Sequence, residues 1–590
     1  MGYVQSLGRS DLKEFWKYIN RKRKSNSLPS TMVLNNQIGT DTSEISEMFA
    51  DYFKSVFKPS SIKEFPSSLT DNSISVDLSL DDVIFALKNL KPAYYRSSDQ
   101  IPAILLKKCS YVLAYPLFLI FKRSLEEGIF PSKWKTSFIN PIFKDGDRSL
   151  ITNYRPVSLI SPIANLFEGV LYNKLIDQVI PKLSVHQHGF IPGKSVVTNL
   201  LDLADQVTEA FERGCQVDAI YLDMTKAFDS VDHSLLLDKL CIMGFDRTLL
   251  AWFKSYLENR SQLVHINGIH SQKFIATSGI LQGSRLGPLL FAIFINGIVS
   301  EADCTLVSLF ADDCRISRIV SDPKEASAMQ SDLDKISSWI SKNKLDINLK
   351  KCFKISFSRG SSMLDNDYLI DGQKIKKAEK VRDLGIILDE KWTFSDHIAY
   401  LLPKAFKTLG FVKRVTSNFT SLSTITYLFK ALILPGLTYA SVIWSPMTQE
   451  KFSELNSVLK KFLRYASFKN GSPMAFDSHD YSYISATCGI TKLESLHHYL
   501  DVSFVLENLK GKLKCNIFDN RFHLRELTYC LRNHRPYKES THTNNYIAHS
   551  PSYRLVERWN VLDVELRAVL LEDINTINKD PLKQHCLKNF

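Results

Sequence analysis

Three aspartates of this sequence are spaced so that together they could hold divalent cations. Asp223 follows Val217–Leu222, a mostly apolar run that predicts a strand. Asp312 and Asp313 stand side by side in "TLVSLFADDCRIS", where they predict the turn of a hairpin. If the two strands are neighbours, about 4.8 Å apart, Asp223 and Asp312 come close together. Such carboxylates repel each other unless cations lie between them, and two Mg²⁺ ions about 3.5–4 Å apart would form a site for in-line phosphoryl transfer.

Each of these motifs also has a plain structural interpretation. Aspartates are common in turns, so "ADD" alone fits a solvated hairpin turn. The stretch "DMTKAFD" alone fits a strand end that runs into a helix cap. The acids by themselves therefore leave both interpretations open.

The elements that must position these acids alternate between strand and helix. Apolar spacing predicts strands at "AIYLDM" and "SQLVHING", and it predicts helices at "LSLDDVIFALKNL", which Ser79 caps, and at "HSLLLDKLCIMGF", "TLLAWFKSYL" and "SDLDKISSWISKNKL". Because strands and helices interleave from about Ser79 to about Asp389 without a strict repeat, we expect a mixed α/β sheet with one helical face. Residues from about 400 to 470 predict helices alone.

Composition narrows the class of protein. A chain of 590 residues, 44% hydrophobic and 23% charged, predicts two to four globular units. The net charge of +12 suits a polyanion such as nucleic acid, although a merely soluble basic protein fits it too. The longest apolar stretches are too short or too interrupted to span a bilayer, so we expect no membrane partner. Ten cysteines without a CxxC pair, and an N-terminus without an apolar core, predict a protein that is not secreted.

Further motifs reveal a resemblance to a known family. In chain order they are "NPIFKDGDRSLITNYRPVSLI", "HQHGFIPGKSVVTNLL", "YLDMTKAFDSVDH", "SGILQGSRLGPLLFAIFING", "LFADD", "INLKKC" and "VRDLGIILDEKWTFSDHI". They resemble the reverse transcriptases of non-LTR retrotransposons, long interspersed elements of the jockey or CR1 type. The resemblance implies a right-hand polymerase with fingers, an antiparallel palm sheet with helices, and a helical thumb. It implies template-directed extension of a DNA 3′-hydroxyl with dNTPs on an RNA template.

The resemblance also implies roles for the acids. Asp223 and Asp312 resemble the two principal ligands of two Mg²⁺ ions, for which Mn²⁺ could substitute. Asp313 resembles a third, weaker acidic partner, because adjacent strand residues point to opposite faces. Lys351, in "INLKKC", resembles a lysine beside the leaving pyrophosphate and a candidate general acid, although Lys350 next to it leaves the assignment open.

Five further residues resemble the positions that bind the incoming nucleotide. Lys144 and Arg155 correspond to the cations that clamp the triphosphate, and ordinary surface cations are the alternative. Phe228 corresponds to an aromatic residue that excludes the sugar 2′-hydroxyl, and core packing is the alternative. Gln282 and Gly283 correspond to the turn that backs the nascent base pair, where glycine permits close backbone approach.

The predicted organisation has four parts. Residues 1–78 form a connector, 122–389 the reverse transcriptase domain with fingers beginning near 79, 390–470 a thumb-like region, and 471–590 a region of unknown role. We expect no endonuclease in this chain, and we expect it to act in the nucleus, the cytoplasm or both. "RKRKS" fits a localisation signal or a solvated linker.

Two other functions remain open at this stage. One is a catalytically silent nucleic-acid-binding remnant of a truncated element, and the other is an RNA-dependent RNA polymerase. Phe228 argues against the RNA polymerase, because an aromatic residue there would exclude the 2′-hydroxyl of ribonucleotides. Ala311 argues against it too, because such enzymes usually place glycine before the paired aspartates. A zinc site built from late His and Cys residues has no standard finger spacing, which favours a polar surface. The segment "GFIPGKS" imitates a phosphate-binding loop but has three residues between its glycines instead of four.

Overall fold

The computed structural model describes residues 12–23, 28–59, 74–94, 97–360, 363–446, 448–471, 480–516, 518, 522–523, 536–537, 549–571 and 582–583. Within these ranges, no helix combines the length and the apolar character needed to cross a membrane.

The α-helices of the described ranges are α1 (Leu12–Lys22), α2 (Thr42–Ser55), α3 (Leu80–Asn89), α4 (Ala103–Lys108), α5 (Ser110–Glu126), α6 (Pro162–Val179), α7 (Val196–Glu212), α8 (His233–Met243), α9 (Arg247–Leu257), α10 (Gly287–Ile295), α11 (Pro323–Lys342), α12 (Ser395–Val415), α13 (Leu422–Leu432), α14 (Leu434–Thr438), α15 (Ser441–Trp444), α16 (Gln449–Lys469), α17 (Ser482–Cys488), α18 (Leu493–Leu509), α19 (Pro551–Asn560) and α20 (Val564–Leu571).

The strands are β1 (Met32–Leu34), β2 (Gln37–Gly39), β3 (Thr136–Phe143), β4 (Tyr154–Leu159), β5 (Gln216–Leu222), β6 (Arg260–Ile266), β7 (Ile269–His270), β8 (Phe274–Ala276), β9 (Leu306–Phe310), β10 (Asp313–Val320), β11 (Phe353–Phe357), β12 (Leu369–Ile370), β13 (Gln373–Lys374), β14 (Lys376–Lys377), β15 (Lys380–Asp383) and β16 (Ile386–Asp389). The helices and strands predicted around the acids are present, and the cap of α3 is the predicted Ser79, whose side chain accepts from the Asp82 backbone N–H.

The sheet that carries the candidate acids corresponds to the predicted palm. Its strand order is β14-β11-β5-β10-β9, and β5 runs antiparallel to both β10 and β11. Ile220 and Leu222 face a core with α8, α10 and α11, whereas Val217 and Ala219 face a second core with α7 and α12. Helices therefore cover both faces, and the expectation of one helical face is wrong. The apolar residues of β5 are thus buried on both faces, and the strand also holds two buried polar residues, Gln216 and Asp218.

A second sheet holds the segments expected to form the fingers. Its order is β4-β3-β6-β7, with β8 also paired to β6. Met32, Ile45 and Phe49, from the chain before the expected start of the polymerase, share a buried core with Ile139 and Val264 of this sheet. Residues within the predicted connector thus supply part of this sheet's core.

The region after the palm is helical, as the sequence predicts. Helices α12, α13 and α16 pack together in the second core, and Phe15 and Ile19 of α1 are fully buried there. The stretch "TITYLFKALILPGLTYASVIW" is helical, and it is divided into α13, α14 and α15. Pro435 lies in the first turn of α14, where its missing N–H costs nothing, and Ala440 before α15 has a positive φ of 51°.

The described helices of residues 471–590 pack on the same core. Asp501 of α18 accepts a hydrogen bond from Arg554 of α19 at 2.8 Å, and Ser552 of α19 donates to Asp205 of α7 at 3.0 Å. These contacts join the C-terminal helices to a helix that supports the palm sheet.

Candidate active site

Strand pairing brings the three aspartates to one end of the palm sheet. Leu222 of β5 lies opposite Cys314 of β10, so Asp223 and Asp313 each stand one residue beyond that pair. Asp312 lies in the two-residue turn between β9 and β10, next to Ala311, whose φ is 57°. The neighbour of β5 is thus the strand that follows the aspartate pair, and β9, which leads into it, is one strand further away.

The electrostatics of this corner are unfavourable without a counter-charge. Enclosure of its carboxyl group raises the pKa of Asp313 to about 6, and the like charges of Asp312, Asp383 and Asp223 act in the same direction. The Lys144 ammonium opposes this rise in pKa. Each of these charges therefore lies close enough to Asp313 to influence its ionisation.

The donor set fits a hard divalent cation by its chemistry. The three candidate ligands are carboxylates, which supply the oxygen ligands that Mg²⁺ prefers. Among the described residues, no three His, Cys, Asp or Glu side chains are gathered tightly enough to enclose a metal ion. The three aspartates thus provide oxygen ligands and negative charge, but their side chains do not enclose a cation.

Lys351 shares a cavity with two of these acids. The cavity has a volume of about 410 Å³, and Asp223, Asp313 and Lys351 belong to its lining. The backbone N–H of Asn348 donates to the Asp223 carbonyl at 2.8 Å, and Lys351 N–H donates to the Asn348 carbonyl at 2.9 Å. The turn that carries Lys351 is thereby attached to the backbone of Asp223.

Lys144 and Arg155 lie on the β3–β4 hairpin. Lys144 follows β3, and its backbone N–H donates to the Asn153 carbonyl at 2.9 Å, while Arg155 of β4 lies opposite Ile142. Both side chains are exposed. The charge of Lys144 reaches Asp313, so this part of the hairpin faces the acids.

Phe228 is half-buried. Its ring stacks on Phe291 with centroids 4.1 Å apart, and it meets the ring of Phe190 edge-on at 6.0 Å. The packing interpretation of Phe228 therefore has direct support, and exclusion of ribonucleotides stays a prediction.

Gln282 and Gly283 form a tight contact with β4. The Gln282 carbonyl accepts the Ser158 backbone N–H at 2.7 Å. Gly283 has φ of 118°, and a Cβ there would lie 2.7 Å from the Ser158 carbonyl oxygen, so only glycine fits. The Gln282 amide donates to both carboxylate oxygens of Asp229, at 2.9 and 3.1 Å.

Several residues of the site escape sequence reasoning. Gly189, in "GFIPGKS", packs so closely under the aspartate turn that a Cβ would lie 2.1 Å from the Ala311 nitrogen. The buried Arg315 donates to Asp383 at 2.6 Å, and Tyr221 donates to the same carboxylate at 2.9 Å. Gly189 in "GFIPGKS" could have indicated a close backbone approach. The residues next to Asp383 in the sequence give no indication of its partners Arg315 and Tyr221.

The histidines and cysteines considered for zinc are not gathered in the described part of the chain. His523 and His549 are described, whereas Cys530, His534 and His542 lie outside the described residues, as do Lys24 and Ser25 of "RKRKS".

Comparison with known proteins defines the class. Residues 142–388 match the family model described as Reverse transcriptase (RNA-dependent DNA polymerase). The chain therefore contains a reverse transcriptase domain, with the mixed α/β architecture of a right-hand polymerase.

Its relatives are polymerases of non-LTR retrotransposons, which confirms the resemblance. The chain is similar to the RNA-directed DNA polymerase from mobile element jockey of Drosophila funebris, with 26% identity over 78% of this chain and 53% of that protein. The Drosophila melanogaster jockey polymerase is 29% identical over 62% of this chain and 41% of that protein. This chain thus spans about half the length of the curated relatives it matches. Apo telomerase from Candida tropicalis, truncated from its C-terminal domain, aligns over 44% of this chain and 54% of that one, with a TM-score of 0.31 and 12% identity.

Proposed function

We propose that this chain is an RNA-directed DNA polymerase that extends a DNA 3′-hydroxyl with dNTPs on an RNA template and releases pyrophosphate. The observation that carries the proposal is the β5–β10 register, which gathers Asp223, Asp312 and Asp313 at one sheet end, where their charges repel. The matching family model and the names of the polymerase relatives support the same chemistry.

In this proposal, the acids bind two Mg²⁺ ions, or Mn²⁺ in their place. Bound ions would supply Lewis-acid activation of the attacking hydroxyl and neutralise charge on the leaving pyrophosphate. Lys351, on the wall of the same cavity, would protonate the pyrophosphate. Lys144 and Arg155 would bind the triphosphate from the β3–β4 hairpin.

Selection of the substrate would rest on two residues behind the acids. Phe228 would exclude the 2′-hydroxyl by contact with its half-buried ring, which Phe291 holds by stacking. Gln282 would support the nascent base pair, because its backbone is bound to β4 of the fingers sheet. Action in the nucleus or cytoplasm suits the free thiols of the described cysteines, since disulfides form in oxidising compartments.

The deciding experiment is primer extension on an RNA template with Mg²⁺. We expect the unmodified chain to extend a DNA primer, with loss of activity in EDTA and weaker template binding at higher salt. The Asp312→Ala variant should lose at least about 1,000-fold in rate, since a bound ion contributes several kcal/mol. Asp238→Ala, an exposed aspartate on α8, is the matched control and should stay within about twofold of the unmodified chain.

Other outcomes distinguish the alternatives. Extension that survives Asp312→Ala would refute the assignment of the acids. Binding of RNA–DNA hybrids without extension would favour a silent remnant, and preferential use of rNTPs would favour an RNA polymerase. Phe228→Ala should admit rNTPs, and an unchanged preference would leave Phe228 a packing residue.

A further inference from the structure

Gln282 is held from two directions. Its backbone carbonyl accepts from Ser158 of β4, while its side-chain amide contacts Asp229 in the loop after β5. The following residues are fixed as well, because the buried Glu168 of α6 accepts the backbone N–H groups of Arg285 and Leu286 at 2.8 and 3.3 Å. The backbone of this loop is therefore well determined, and what remains to be set is the orientation of the Gln282 amide.

Asp229 is itself fixed in place by backbone contacts. Its carbonyl accepts from the Ser278 hydroxyl at 2.8 Å, and a Cβ on Gly279 would lie 2.7 Å from that same carbonyl oxygen. The carbonyl of Phe228, one residue earlier, accepts the Ile280 N–H at 2.9 Å. Asp229 thus stands between the residue predicted to read the sugar and the loop predicted to support the base pair.

Within the described part of the chain, no cation forms an ion pair with the Asp229 carboxylate, and the Gln282 amide donates to both of its oxygens. It lines a small cavity with His233, Arg260 and Gln282. Burial raises the pKa of Asp229 to about 6, although the Gln282 hydrogen bond and the Lys226 charge act in the opposite direction. A carboxylate kept in such surroundings costs stability, and a neutral side chain of the same shape would avoid that cost.

We propose that Asp229 is a positioning residue that fixes the orientation of the Gln282 amide and thereby the fit of the incoming nucleotide. The inference rests on the proposed function, because it concerns how that polymerase site holds its substrate.

The chemistry of the two groups explains why a carboxylate is needed. An ionised carboxylate only accepts hydrogen bonds, so the NH₂ group of Gln282 must face Asp229 and its oxygen must face away. An asparagine at residue 229 could donate as well as accept, so either orientation of the Gln282 amide would be satisfied. Packing would survive this change, and the directed orientation would not.

The charged and titratable groups that face Asp229 come from several elements. Lys226 lies in the same loop, and Tyr52 of α2 has its pKa raised by burial and then by the charge of Asp229. His233 of α8 and Arg260 of β6 lie on the cavity wall; burial lowers the pKa of His233, whose ring Nε2 contacts the Gly279 carbonyl at 2.8 Å. These neighbours define the background for any effect of pH.

The test measures KM and kcat for dNTPs in RNA-templated primer extension by the full chain. Asp229→Asn should raise KM about 10- to 100-fold with little change in kcat, the range expected for a hydrogen bond to a charged group. In the unmodified chain KM should rise as pH falls through about 6, where Asp229 takes up a proton, and in Asp229→Asn this rise should disappear.

A double-mutant cycle separates positioning from general structure. If Asp229 acts through Gln282, Asp229→Asn should have no further effect on KM once Gln282→Leu is present. Asp246→Asn is the matched control. The Asp246 side chain caps α9 by accepting a hydrogen bond from Leu249 N–H, and within the described part of the chain it forms no hydrogen bond with Gln282. Its KM should equal that of the unmodified chain.

The outcomes distinguish this inference from the proposed function. An active unmodified chain with additive effects of the two substitutions, or with an unchanged KM in Asp229→Asn, would overturn the inference alone. A second readout, dNTP-dependent retention of the chain on a chain-terminated primer and RNA template, should weaken by the same factor without any turnover. An unmodified chain that neither extended primers nor formed this complex would overturn the proposed function and the inference with it.

Discussion

Two groups of carboxylates, one at the end of the palm sheet and one on elements packed beside it, have opposite electrostatic surroundings. At the end of β5, the charges of Asp223 and Asp312 contribute to the raised pKa of Asp313. Deeper in the fold, Asp383 accepts from Arg315 and Tyr221, and Asp202 lies between two histidines. Side chains of the protein thus neutralise Asp383 and Asp202, whereas in the proposed function a bound cation would offset the repulsion at the sheet end.

The ion pair between Arg315 and Asp383 also helps to fix the strand that carries Asp313. Arg315, on β10 two residues after Asp313, donates to Asp383 of β15 and to the Asn199 carbonyl of α7 at 2.8 Å. The strand that carries Asp313 is therefore bound to a helix on one side and to the β15–β16 hairpin on the other. Asp383 serves both groups, since it pairs with Arg315 and also contributes to the raised pKa of Asp313.

The largest expected effect on stability comes from breaking the buried ion pair. Arg315→Met should lower the free energy of unfolding by about 3–5 kcal/mol, because it leaves the buried Asp383 without its cation. Denaturant unfolding followed by circular dichroism measures this change. Arg382→Met, on the exposed side of the same hairpin, is the control and should change stability by less than about 0.5 kcal/mol. Equal stability of the two variants would contradict the contrast drawn between the groups.

A smaller effect is expected at Asp202. Burial alone would raise the pKa of Asp202, but the hydrogen bonds and charges of His186 and His188 outweigh it and hold the pKa at about 2. A folded-state pKa below the unfolded value contributes stability at neutral pH that is lost as pH falls from about 4 to 2. Asp202→Asn should therefore cost about 2 kcal/mol at pH 7 and progressively less below pH 4.

Thermal unfolding between pH 2.5 and 7 checks this prediction. The exposed Asp177→Asn on α6 is the matched control and should leave the pH profile unchanged. A difference between Asp202→Asn and the unmodified chain that stayed constant down to pH 2.5 would exclude the charge as its cause.

The parts of the fold that sequence predicts are those specified by neighbouring residues. The apolar run of β5, the Ser79 cap of α3 and the turn at Asp312 each depend on a few consecutive side chains, and the structure contains all three. The second helical face of the palm was missed, because it depends on how α7, just before β5, folds back on the sheet and on α12, which lies far from β5 in the chain.

The same distinction holds at the candidate site. Asp223, Asp312 and Asp313 could be singled out because each lies at a strand end or in the turn beside one, and pairing of β5 with β10 brings them together. Asp229 and Gln282 were not connected, because their contact joins residues that are 53 positions apart. Likewise, the Arg315–Asp383 pair spans 68 positions, and neither residue carries a local signature of its partner.

The smallest effect, and one of opposite sign, is expected at Asp313. Its folded-state pKa of about 6 lies above the unfolded value, so the ionised form is disfavoured in the folded chain above pH 6, and this penalty is absent below about pH 4. Asp313→Asn should therefore stabilise the chain in EDTA at pH 7.5, by at most about 1 kcal/mol, because the residue remains exposed and its charge is screened by solvent even though its carboxyl group is partly desolvated at the cavity wall. The gain should vanish as pH falls toward 4.

Magnesium should reverse the sign of this difference, and that reversal tests the contrast most directly. A cation bound between the acids removes their repulsion, so 10 mM Mg²⁺, on the order of concentrations used for weak sites, should raise the melting temperature of the unmodified chain more than that of Asp313→Asn. Asp238→Asn, an exposed aspartate away from the acids, should respond to Mg²⁺ as the unmodified chain does. Two results would contradict this contrast: a loss of stability in Asp313→Asn in EDTA, or an equal rise in melting temperature of both chains with Mg²⁺. The acids at the end of β5 would then be structural carboxylates like Asp383 and Asp202, and they would not form a cation site.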